Sequence, residues 1–515
     1  MFVTYTLLIQ FKDYLCGHIT KRLHIIINLN TTLMKKFFVY AFTALAAFVN
    51  YSCSEVDNPG NPTTDVFNYD GKDYVANVVG TFQGEVGAEV SLKLGVYDPF
   101  DVYAVDFGDG ELVIDTVCYQ NGGLLDEEGH TVPWRKSATE FKGTIAGKGI
   151  VTVYGNSDLW YLVLSGGIAP TSFNQEKMLN VVQVNITGAN VESIDLPAMD
   201  KLTQFAFNNS PLKSIDVSKA PALTSLTINN TSASKYDPQL ASIDVSKNTE
   251  LTYLSLQANT NKAGKLTSLD LTNNTKLTGM GLYVQYNQLT EVKLPECELT
   301  TINVQNNKLT SLDLTKLPKL KNLYASDNKL TALDFSKLAA GGDINIYNNE
   351  LTEVVIPVAV KTLQAQNNQI TKVSVENATG SNFKLENNKL TFATLPAQPA
   401  GMSSASKTKK FTYSPQADIE IEPEGVIVDF SAQAKAKGEL SSTSSYKEWI
   451  EAETVFSLTA GDAVLVEGTD YTIENGKITF LKSQEGVIVK MTNAAFPKLT
   501  TGIVTKPFNV TVLAE

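Results

Sequence analysis

A short sequence motif of leucine, lysine and asparagine recurs along the middle of the chain, and it constrains the fold more than any other feature. The motif that begins at Leu309 starts again at Leu330, and the apolar residue that marks each repeat, its anchoring position, returns every 19 to 28 residues. One such unit cannot bury its apolar side alone, so successive units must stack into a solenoid. The anchoring positions are Ile194, Ile215, Ile243, Leu269, Val292, Leu312, Leu333, Val354, Val373 and Phe392.

A column of asparagines follows the same repeat and predicts where each coil turns. Each asparagine lies five residues after an apolar or aromatic strand position, where its amide group can pair with the backbone of a buried turn. We expect these residues to form a structural ladder between coils. In the first two coils the asparagine comes one residue early, at Asn209 and Asn230. The predicted ladder consists of Asn259, Asn287, Asn307, Asn328, Asn349, Asn368 and Asn388.

These repeats resemble the leucine-rich repeats of bacterial surface proteins, in particular the internalin and BspA-like adhesins. The resemblance covers residues from about Val191 to Phe392. It implies parallel strands on a concave face and an extracellular binding or adhesion role. We therefore expect a mainly β fold, in which a leucine-rich-repeat solenoid with its caps, residues 168–416, is flanked by two immunoglobulin-like β-sandwich domains.

The first flanking domain is predicted over residues 66–167, where short alternating runs are separated by Gly- and Asp-rich turns. The run Val105-Asp106-Phe107-Gly108-Asp109-Gly110 resembles the core motif of the polycystic-kidney-disease (PKD) type of immunoglobulin-like domain. Its glycines permit positive φ, and its aspartates can bond to the turn backbone. A calcium site at Asp106 and Asp109 is the alternative to this turn-capping role.

The second flanking domain is predicted over residues 417–515, which again alternate apolar and polar residues. The segment Tyr471–Phe480 has the pattern of a β-hairpin. At its centre Asn475-Gly476 suits a type I′ turn, which needs positive φ at both residues. We interpret this region as a second immunoglobulin-like sandwich.

The N-terminal region has the features of a leader and an anchor. Met34-Lys35-Lys36 precedes an apolar run of roughly 13 residues, which is too short to span a bilayer as a helix. Residues 34–52 are therefore predicted to be a signal peptide. Ser52-Cys53 resembles the lipobox of bacterial lipoproteins, which implies acylation of Cys53. Free secretion after cleavage elsewhere is the alternative.

The residues on either side of this leader complete the predicted organisation. Ser54-Glu55-Val56-Asp57 resembles the signal that places some lipoproteins on the outer face of the outer membrane, so we expect a lipid-anchored, surface-exposed protein. Residues 53–65 contain Pro and Gly in an acidic context and suit a linker. Residues 1–33 are interpreted as an N-terminal extension from a start codon placed too far upstream.

Charge and composition disfavour several classes of function. The chain has a net charge of −12, which repels nucleic acid. If the leader is removed, His130 is the sole histidine, too few for a histidine-based zinc cluster, and any Ser-His-Asp triad would depend on it. Cys118 and Cys297 fall in different predicted domains, so no disulfide framework is expected. We predict no enzymatic activity, cofactor or metal.

The repeat register also predicts which residues face the concave side, because side chains alternate along a strand. These residues are rich in tyrosine and side-chain amides and poor in charge, a composition suited to recognising polar ligands. An amide ladder that only keeps the sheet soluble is the alternative. The predicted ligand-binding residues are Tyr253, Gln257, Tyr283, Gln285, Tyr286, Asn303, Gln305, Asn322, Tyr324, Asn345, Tyr347, Gln364 and Gln366.

Two partner classes fit such a face. The first is a protein on the surface of a host cell or a bacterium, bound by an adhesin. The second is a glycan, bound by a lipoprotein of a polysaccharide-uptake system. The residues alone do not separate these two readings.

Overall fold

The structure is a computed structural model that describes residues 66–96, 101–117, 138–155, 159–173, 179–231, 234–375, 382–398, 410–440 and 448–513. The predicted leader, the predicted acylation site Cys53, the predicted linker, Cys118 and His130 lie outside these residues. Within them, regular structure is β-strand apart from one 3-10 helix, η1 (Ser431–Gln433), which confirms the mainly β fold. This part of the chain contains no helix long and apolar enough to cross a membrane.

The N-terminal part begins with a hairpin and continues into antiparallel sheets. One sheet has five strands in the order β10-β3-β8-β5-β6, and strand β4 lies between β7 and β9 in a second sheet. Alternate side chains of both sheets, among them Phe82, Leu92 and Val153, are buried in one apolar core. The strands are β1 (Val66–Tyr69), β2 (Lys72–Val75), β3 (Val78–Gln83), β4 (Glu89–Val96), β5 (Val102–Asp106), β6 (Leu112–Thr116), β7 (Thr139–Thr144), β8 (Ile150–Tyr154), β9 (Leu159–Ser165) and β10 (Ala169–Phe173).

The turn after β5 shows what the Asp-Phe-Gly-Asp-Gly run does locally. Asp106 Oδ1 accepts hydrogen bonds from the N–H groups of Gly108 (2.7 Å) and Gly110 (3.1 Å), and Asp109 Oδ1 accepts one from Glu111 N–H (3.0 Å). Gly108 has φ +100°, and a Cβ there would lie 2.6 Å from Ala146 O. Both carboxylates therefore cap the turn, and only glycine fits at its tightest point.

The central region is a solenoid of parallel strands, as the repeat predicted. Its strands stack side by side in one sheet, and the middle residue of each, such as Leu254, Ile302 or Leu323, is fully buried. After β9 the strands of this sheet are β11 (Gln183–Thr187), β13 (Gln204–Asn208), β15 (Ser225–Thr227), β16 (Tyr253–Ser255), β19 (Leu282–Tyr283), β22 (Thr301–Asn303), β23 (Asn322–Tyr324), β24 (Asp343–Asn345), β26 (Thr362–Gln364), β28 (Asn382–Lys384) and β29 (Lys410–Thr412).

Short strand pairs outside this sheet carry six of the ten anchoring residues of the repeat. They pair in parallel with the equivalent strand of a neighbouring coil, as Leu269 does with Val292 and Val354 with Val373. Their side chains point into the same core as the concave sheet. The pairs are β12 (Ser193–Ile194) with β14 (Ser214–Ile215), β17 (Ser268–Asp270) with β20 (Glu291–Lys293), β18 (Thr278–Gly279) with β21 (Glu298–Leu299), and β25 (Glu353–Ile356) with β27 (Lys372–Val375).

The solenoid is continuous with the N-terminal sheets. Strand β9 pairs antiparallel with β4 on one side and parallel with β11 on the other. The change from antiparallel to parallel pairing thus takes place at a single strand, and β10 also extends the N-terminal sheet past residue 167. Strands β9 and β4 cover the first coil, so the apolar end of the repeat stack is not exposed to solvent on this side.

The C-terminal part forms further antiparallel sheets. Strand β34 turns into β35 through Asn475 (φ +48°) and Gly476 (φ +79°), which confirms the predicted hairpin and its turn. The longest strand, β32, lies between β31 and β36. The strands are β30 (Ile427–Asp429), β31 (Lys435–Leu440), β32 (Trp449–Ala460), β33 (Ala463–Val464), β34 (Tyr471–Glu474), β35 (Lys477–Phe480), β36 (Gln484–Asn493), β37 (Ile503–Val504) and β38 (Phe508–Val510).

The C-terminal sheets pack directly on the last coil. The ring of Phe496 stacks on Phe392 at 5.9 Å between centroids and meets the edge of Tyr413 at 5.3 Å. Beside them the Tyr413 hydroxyl donates to Glu439 Oε1 (2.5 Å), and Lys498 Nζ contacts the same oxygen (2.8 Å). Burial, together with the hydrogen bond to Glu439, raises the pKa of Tyr413, so its hydroxyl remains a neutral donor.

Candidate binding face

The parallel register places the predicted face residues in two neighbouring columns. Tyr283 pairs with Asn303, which pairs with Tyr324, which pairs with Asn345. Equivalent side chains are therefore separated by one strand spacing, about 4.8 Å. The middle column reads Ser255, Tyr283, Asn303, Tyr324, Asn345, Gln364 and Lys384, and the next reads Gln257, Gln285, Gln305, Ser326, Tyr347, Gln366 and Glu386. We call these two columns, with Tyr253, Asn322 and Tyr286, the binding face.

Exposure varies within the binding face. The tyrosines and most amides are half-buried, as expected where side chains crowd on the concave side of a sheet. Gln285, predicted as a ligand contact, is only 6% exposed, and its Nε2 donates to Gln257 Oε1 (2.6 Å). Gln285 therefore lies beneath the surface and supports Gln257. Ser255 and Ser326 are buried as well.

Several face residues hold one another in place. Asn322 donates through Nδ2 to Thr301 Oγ1 (2.9 Å) and accepts from Asp343 N–H (3.0 Å). Gln305 donates to the Tyr286 hydroxyl (3.3 Å), and the rings of Tyr253 and Tyr283 lie 6.0 Å apart. These contacts cross from coil to coil, so the face is organised before any ligand arrives.

Other polar groups of the binding face have no hydrogen-bond partner among the described residues. Asn303 Oδ1 accepts from Gln305 N–H (3.2 Å). The side-chain oxygens of Asn345 and Gln366 are buried and have no hydrogen-bond partner among the described residues. The hydroxyls of Tyr283 and Tyr324 make no hydrogen bond within the described part of the chain, and burial raises the pKa of both, so they stay protonated. The face thus presents unpaired tyrosine hydroxyls, which can donate or accept a hydrogen bond.

Tyr286 occupies an unusual backbone conformation. Its φ is +63°, in the left-handed region, where the equivalent positions of later coils carry Asn306, Asp327, Asn348, Asn367 and Asn387. Asn and Asp tolerate this region, whereas a bulky residue is strained there. From Asp327 to Asn387 the side chains at this position form a bonded row. Asn348 donates to Asp327 and Asn367 to Asn348 at 2.6 Å, and Asn387 donates to Asn367 at 2.7 Å. Tyr286 interrupts the pattern at the edge of the face.

The left-handed φ of Tyr286 predicts that a substitution at this position changes the stability of the protein. Replacing Tyr286 with asparagine should raise the free energy of unfolding by about 1 kcal/mol, because asparagine adopts left-handed φ at lower cost. The lost contact is the 3.3 Å bond from Gln305, which is too long to offset the gain. Chemical denaturation measures the change. The reverse variant Asn306→Tyr is the matched control and should lose a similar amount; a neutral Asn306→Tyr would contradict the explanation.

The predicted ladder asparagines lie in a row beneath the binding face. Asn349 is representative: its Nδ2 donates to Ala325 O and Ile346 O (both 3.0 Å), and its Oδ1 accepts from Leu330 N–H (3.0 Å). Asn307, Asn328, Asn368 and Asn388 make the same kinds of bond to the backbone of their own and the preceding coil. Asn287 donates to Leu256 O and Val284 O. Asn259 differs, since it donates to Thr231 O and accepts from Asn261 N–H.

The structure adds ladder members that the repeat pattern did not indicate. Gln416 takes the ladder position of the last coil, where its Oε1 accepts from Leu390 N–H (3.1 Å) and its Nε2 donates to Leu385 O (2.9 Å). Asn248 and Asn274 form a second buried row on another turn, each donating to two backbone carbonyls. The sequence signal available for this second row was the asparagine in the short runs around Asn248 and Asn274.

The binding face contains no histidine or cysteine. Among the described residues no group of three or more His, Cys, Asp or Glu side chains could hold a metal ion. Its polar groups are amides, hydroxyls and a few separated charges. Such groups donate and accept hydrogen bonds but do not form a pair of nucleophile and base.

Comparison with known proteins identifies no family for this chain. No family model matches it, and no curated protein matches it. Among solved structures, it is similar to the leucine-rich repeat domain of APL1B, at 18% identity and TM-score 0.32, over 47% of this chain and 76% of that one. It is also similar to the functional domain of InlJ from Listeria monocytogenes, which includes a cysteine ladder, at 18% identity and TM-score 0.29, over 71% of this chain and 93% of that one.

A third similar structure is the leucine-rich repeat domain of APL1, at 16% identity and TM-score 0.26, over 45% of this chain and 76% of that one. The parallel strand register and the hydrogen bonds between coils define the solenoid of this chain.

Proposed function

We propose that this chain is a non-enzymatic cell-surface lipoprotein that recognises a protein ligand on a host cell or a bacterium through the binding face. The observation that carries the proposal is the composition of that face: tyrosines and amides lie on adjacent strands, and the hydroxyls of Tyr283 and Tyr324 have no hydrogen-bond partner among the described residues. Tyrosine buries a large rigid ring at low entropic cost and keeps a hydroxyl for hydrogen bonding. Interfaces gain most of their energy from a few such residues.

We also propose that a lipid on Cys53 attaches the chain to the outer membrane. Both flanking regions are proposed to be immunoglobulin-like domains, the first of PKD type. Support for the flanking domains comes from their antiparallel sheets and shared apolar core. In this arrangement the lipid and linker would hold the solenoid outside the cell. Support for a non-enzymatic role comes from the absence of histidine and cysteine on the binding face.

The test removes three tyrosines together. The variant Tyr283→Ala/Tyr324→Ala/Tyr347→Ala should bind at least about tenfold more weakly to any protein that the native chain binds on an array of extracellular-matrix and bacterial surface proteins. Surface plasmon resonance on each positive spot measures the change. Folding is checked by thermal denaturation, since half-buried rings contribute to stability.

The matched control is Tyr236→Ala, a half-buried tyrosine between β15 and β16 and outside the face columns. It should bind as the native chain does. If the triple variant also binds as the native chain does, the binding face is not the recognition surface and the proposal is wrong.

A glycan ligand is the second candidate, because tyrosine rings and amides also suit sugar rings and hydroxyls. A glycan array run in parallel separates the two. Binding only to glycans, lost in the triple variant, would favour a surface glycan-binding lipoprotein of a polysaccharide-uptake system.

A further inference from the structure

One formal charge lies among the side chains that six consecutive strands of the long sheet, from β16 to β26, place on the side of the binding face. Each strand supplies three such positions, one in each of the two columns and one two residues before the middle column. Asp343, in the position equivalent to Asn322, is the only charged residue at these described positions. Lys384 and Glu386 follow on β28. Asp343 therefore distinguishes a charged ligand from a neutral one on this part of the face.

The structure holds the Asp343 carboxylate in place without neutralising it. Its Oδ1 accepts from Thr362 Oγ1 (2.8 Å), and its backbone N–H donates to Asn322 Oδ1 (3.0 Å). Lys321 and Lys361, which precede these two partners in sequence, are exposed and form no ion pair with Asp343. Its Oδ2 has no partner among the described residues and is not one of the buried oxygens, so solvent reaches it. The residue is half-buried, and a partly desolvated anion of this kind gains from a cation.

Several carboxylates on other surfaces of the solenoid have a cation from a neighbouring coil. Lys213 pairs with Glu192 at 2.6 Å, and Lys276 pairs with Glu250 at 2.5 Å. The side chains of both pairs are more exposed to water than half-buried Asp343 needs to be for its charge to be costly. No described lysine pairs with Asp343 in this way, so a cation from a ligand can take that place.

The ring of Tyr324 is the aromatic neighbour of this carboxylate. Tyr324 pairs with Asn345 in the next strand, and Asp343 precedes Asn345 by two residues, so Asp343 and Tyr324 are diagonal neighbours on one side of the sheet. The usual strand spacing and rise place their Cα atoms about 8 Å apart. Burial and, to a smaller extent, the charge of Asp343 raise the pKa of Tyr324, which keeps the hydroxyl neutral. One planar cation can reach both side chains.

We propose that the binding face accepts an arginine side chain of its protein ligand, with the guanidinium group stacked on the Tyr324 ring and donating to Asp343 Oδ2. A guanidinium group offers a flat face to an aromatic ring and N–H groups at its edge to a carboxylate. The ammonium group of lysine has no flat face, so it fits this pair less well. The net charge of −12 also attracts a basic partner. This inference rests on the proposed protein-binding function and names the chemistry of the ligand.

The test measures binding of a fluorescein-labelled peptide of alternating glycine and arginine to the full chain by fluorescence anisotropy in low-salt buffer. The same peptide with citrulline in place of arginine is the comparison ligand, because citrulline keeps the shape of arginine and loses its charge. The arginine peptide should bind at least about tenfold more tightly. Asp343→Asn and Tyr324→Leu should each weaken its binding by about tenfold. Tyr324→Phe, which keeps the ring, should change the affinity by less than about twofold.

Asp334→Asn is the matched control, because it removes the same charge from an exposed turn outside the long sheet. It should change the affinity by less than about twofold, since a distant exposed charge is screened. Equal weakening by Asp343→Asn and Asp334→Asn would show that the peptide responds only to net charge, which would overturn the inference. Equal binding of the arginine and citrulline peptides would overturn it as well. If neither peptide binds while the triple alanine variant still loses protein binding on the array, the proposed function stands and only the arginine site is wrong.

Discussion

Replacing Phe496 with alanine should destabilise the protein by about 3–5 kcal/mol and loosen the last coil of the solenoid before the rest of it. Phe496 is 1% exposed and contacts Phe392 and Tyr413, both buried residues of the coil end. Truncating the ring leaves a cavity between the C-terminal sheets and the last coil. A repeat stack depends on covered ends, because a terminal coil has a neighbour on one side only.

The measurement is hydrogen exchange followed by mass spectrometry over residues 382–398 and 410–416, combined with chemical denaturation. The control is Phe480→Ala, which removes a ring that is equally buried and packs against Tyr471 and Phe508, away from the solenoid. Both variants should lose similar stability, but only Phe496→Ala should raise exchange in the last coil under native conditions. Equal exchange in the two variants would show that Phe496 does not cap the solenoid.

The period of the repeat contained enough information to predict the solenoid and the columns of its concave sheet. Parallel strands in register place equivalent positions side by side, so a residue count from one motif to the next gives the neighbours of Tyr283 or Asn345. The burial of Gln285 could not be predicted in this way. It depends on its contact with Gln257, whereas the period gives only the side of the strand.

The repeat period also could not predict the contacts that join distant parts of the chain. Strand β9 looks like any other strand of an antiparallel domain, and its parallel pairing with β11 depends on how two regions meet. The contact of Phe496 with Tyr413 spans a long stretch of sequence without a repeat. Gln416 completes the ladder with a longer side chain than asparagine, so a search for asparagine at a fixed interval misses it. A repeat period predicts contacts between equivalent positions of successive coils. The contacts of β9, Phe496 and Gln416 join positions that are not equivalent.

The ladder asparagines should be the most sensitive polar residues of the solenoid, and Asn349→Ala tests this. Asn349 is 7% exposed and lies in a central coil. Its removal leaves Ile346 O with its bond from Asn368 and Ala325 O with its bond from Asn328, but Leu330 N–H loses its side-chain partner, Asn349 Oδ1. A buried backbone group without a partner costs roughly 1–3 kcal/mol, so Asn349→Ala should lower the free energy of unfolding by about that amount.

Chemical denaturation of the full chain gives this value, and the exposed Asn273 on the same solenoid provides the control. Asn273 makes one long side-chain contact, 3.4 Å to Ser246 O, so Asn273→Ala should change stability by less than about 0.5 kcal/mol. A loss for Asn349→Ala as small as that of the control would mean that water replaces the side chain and that the ladder is dispensable. A large loss would explain how such short strands hold Tyr347 and its neighbours at fixed spacing, because Asn349 joins the turn after its own strand to Ala325 O and Leu330 N–H of the coil before it.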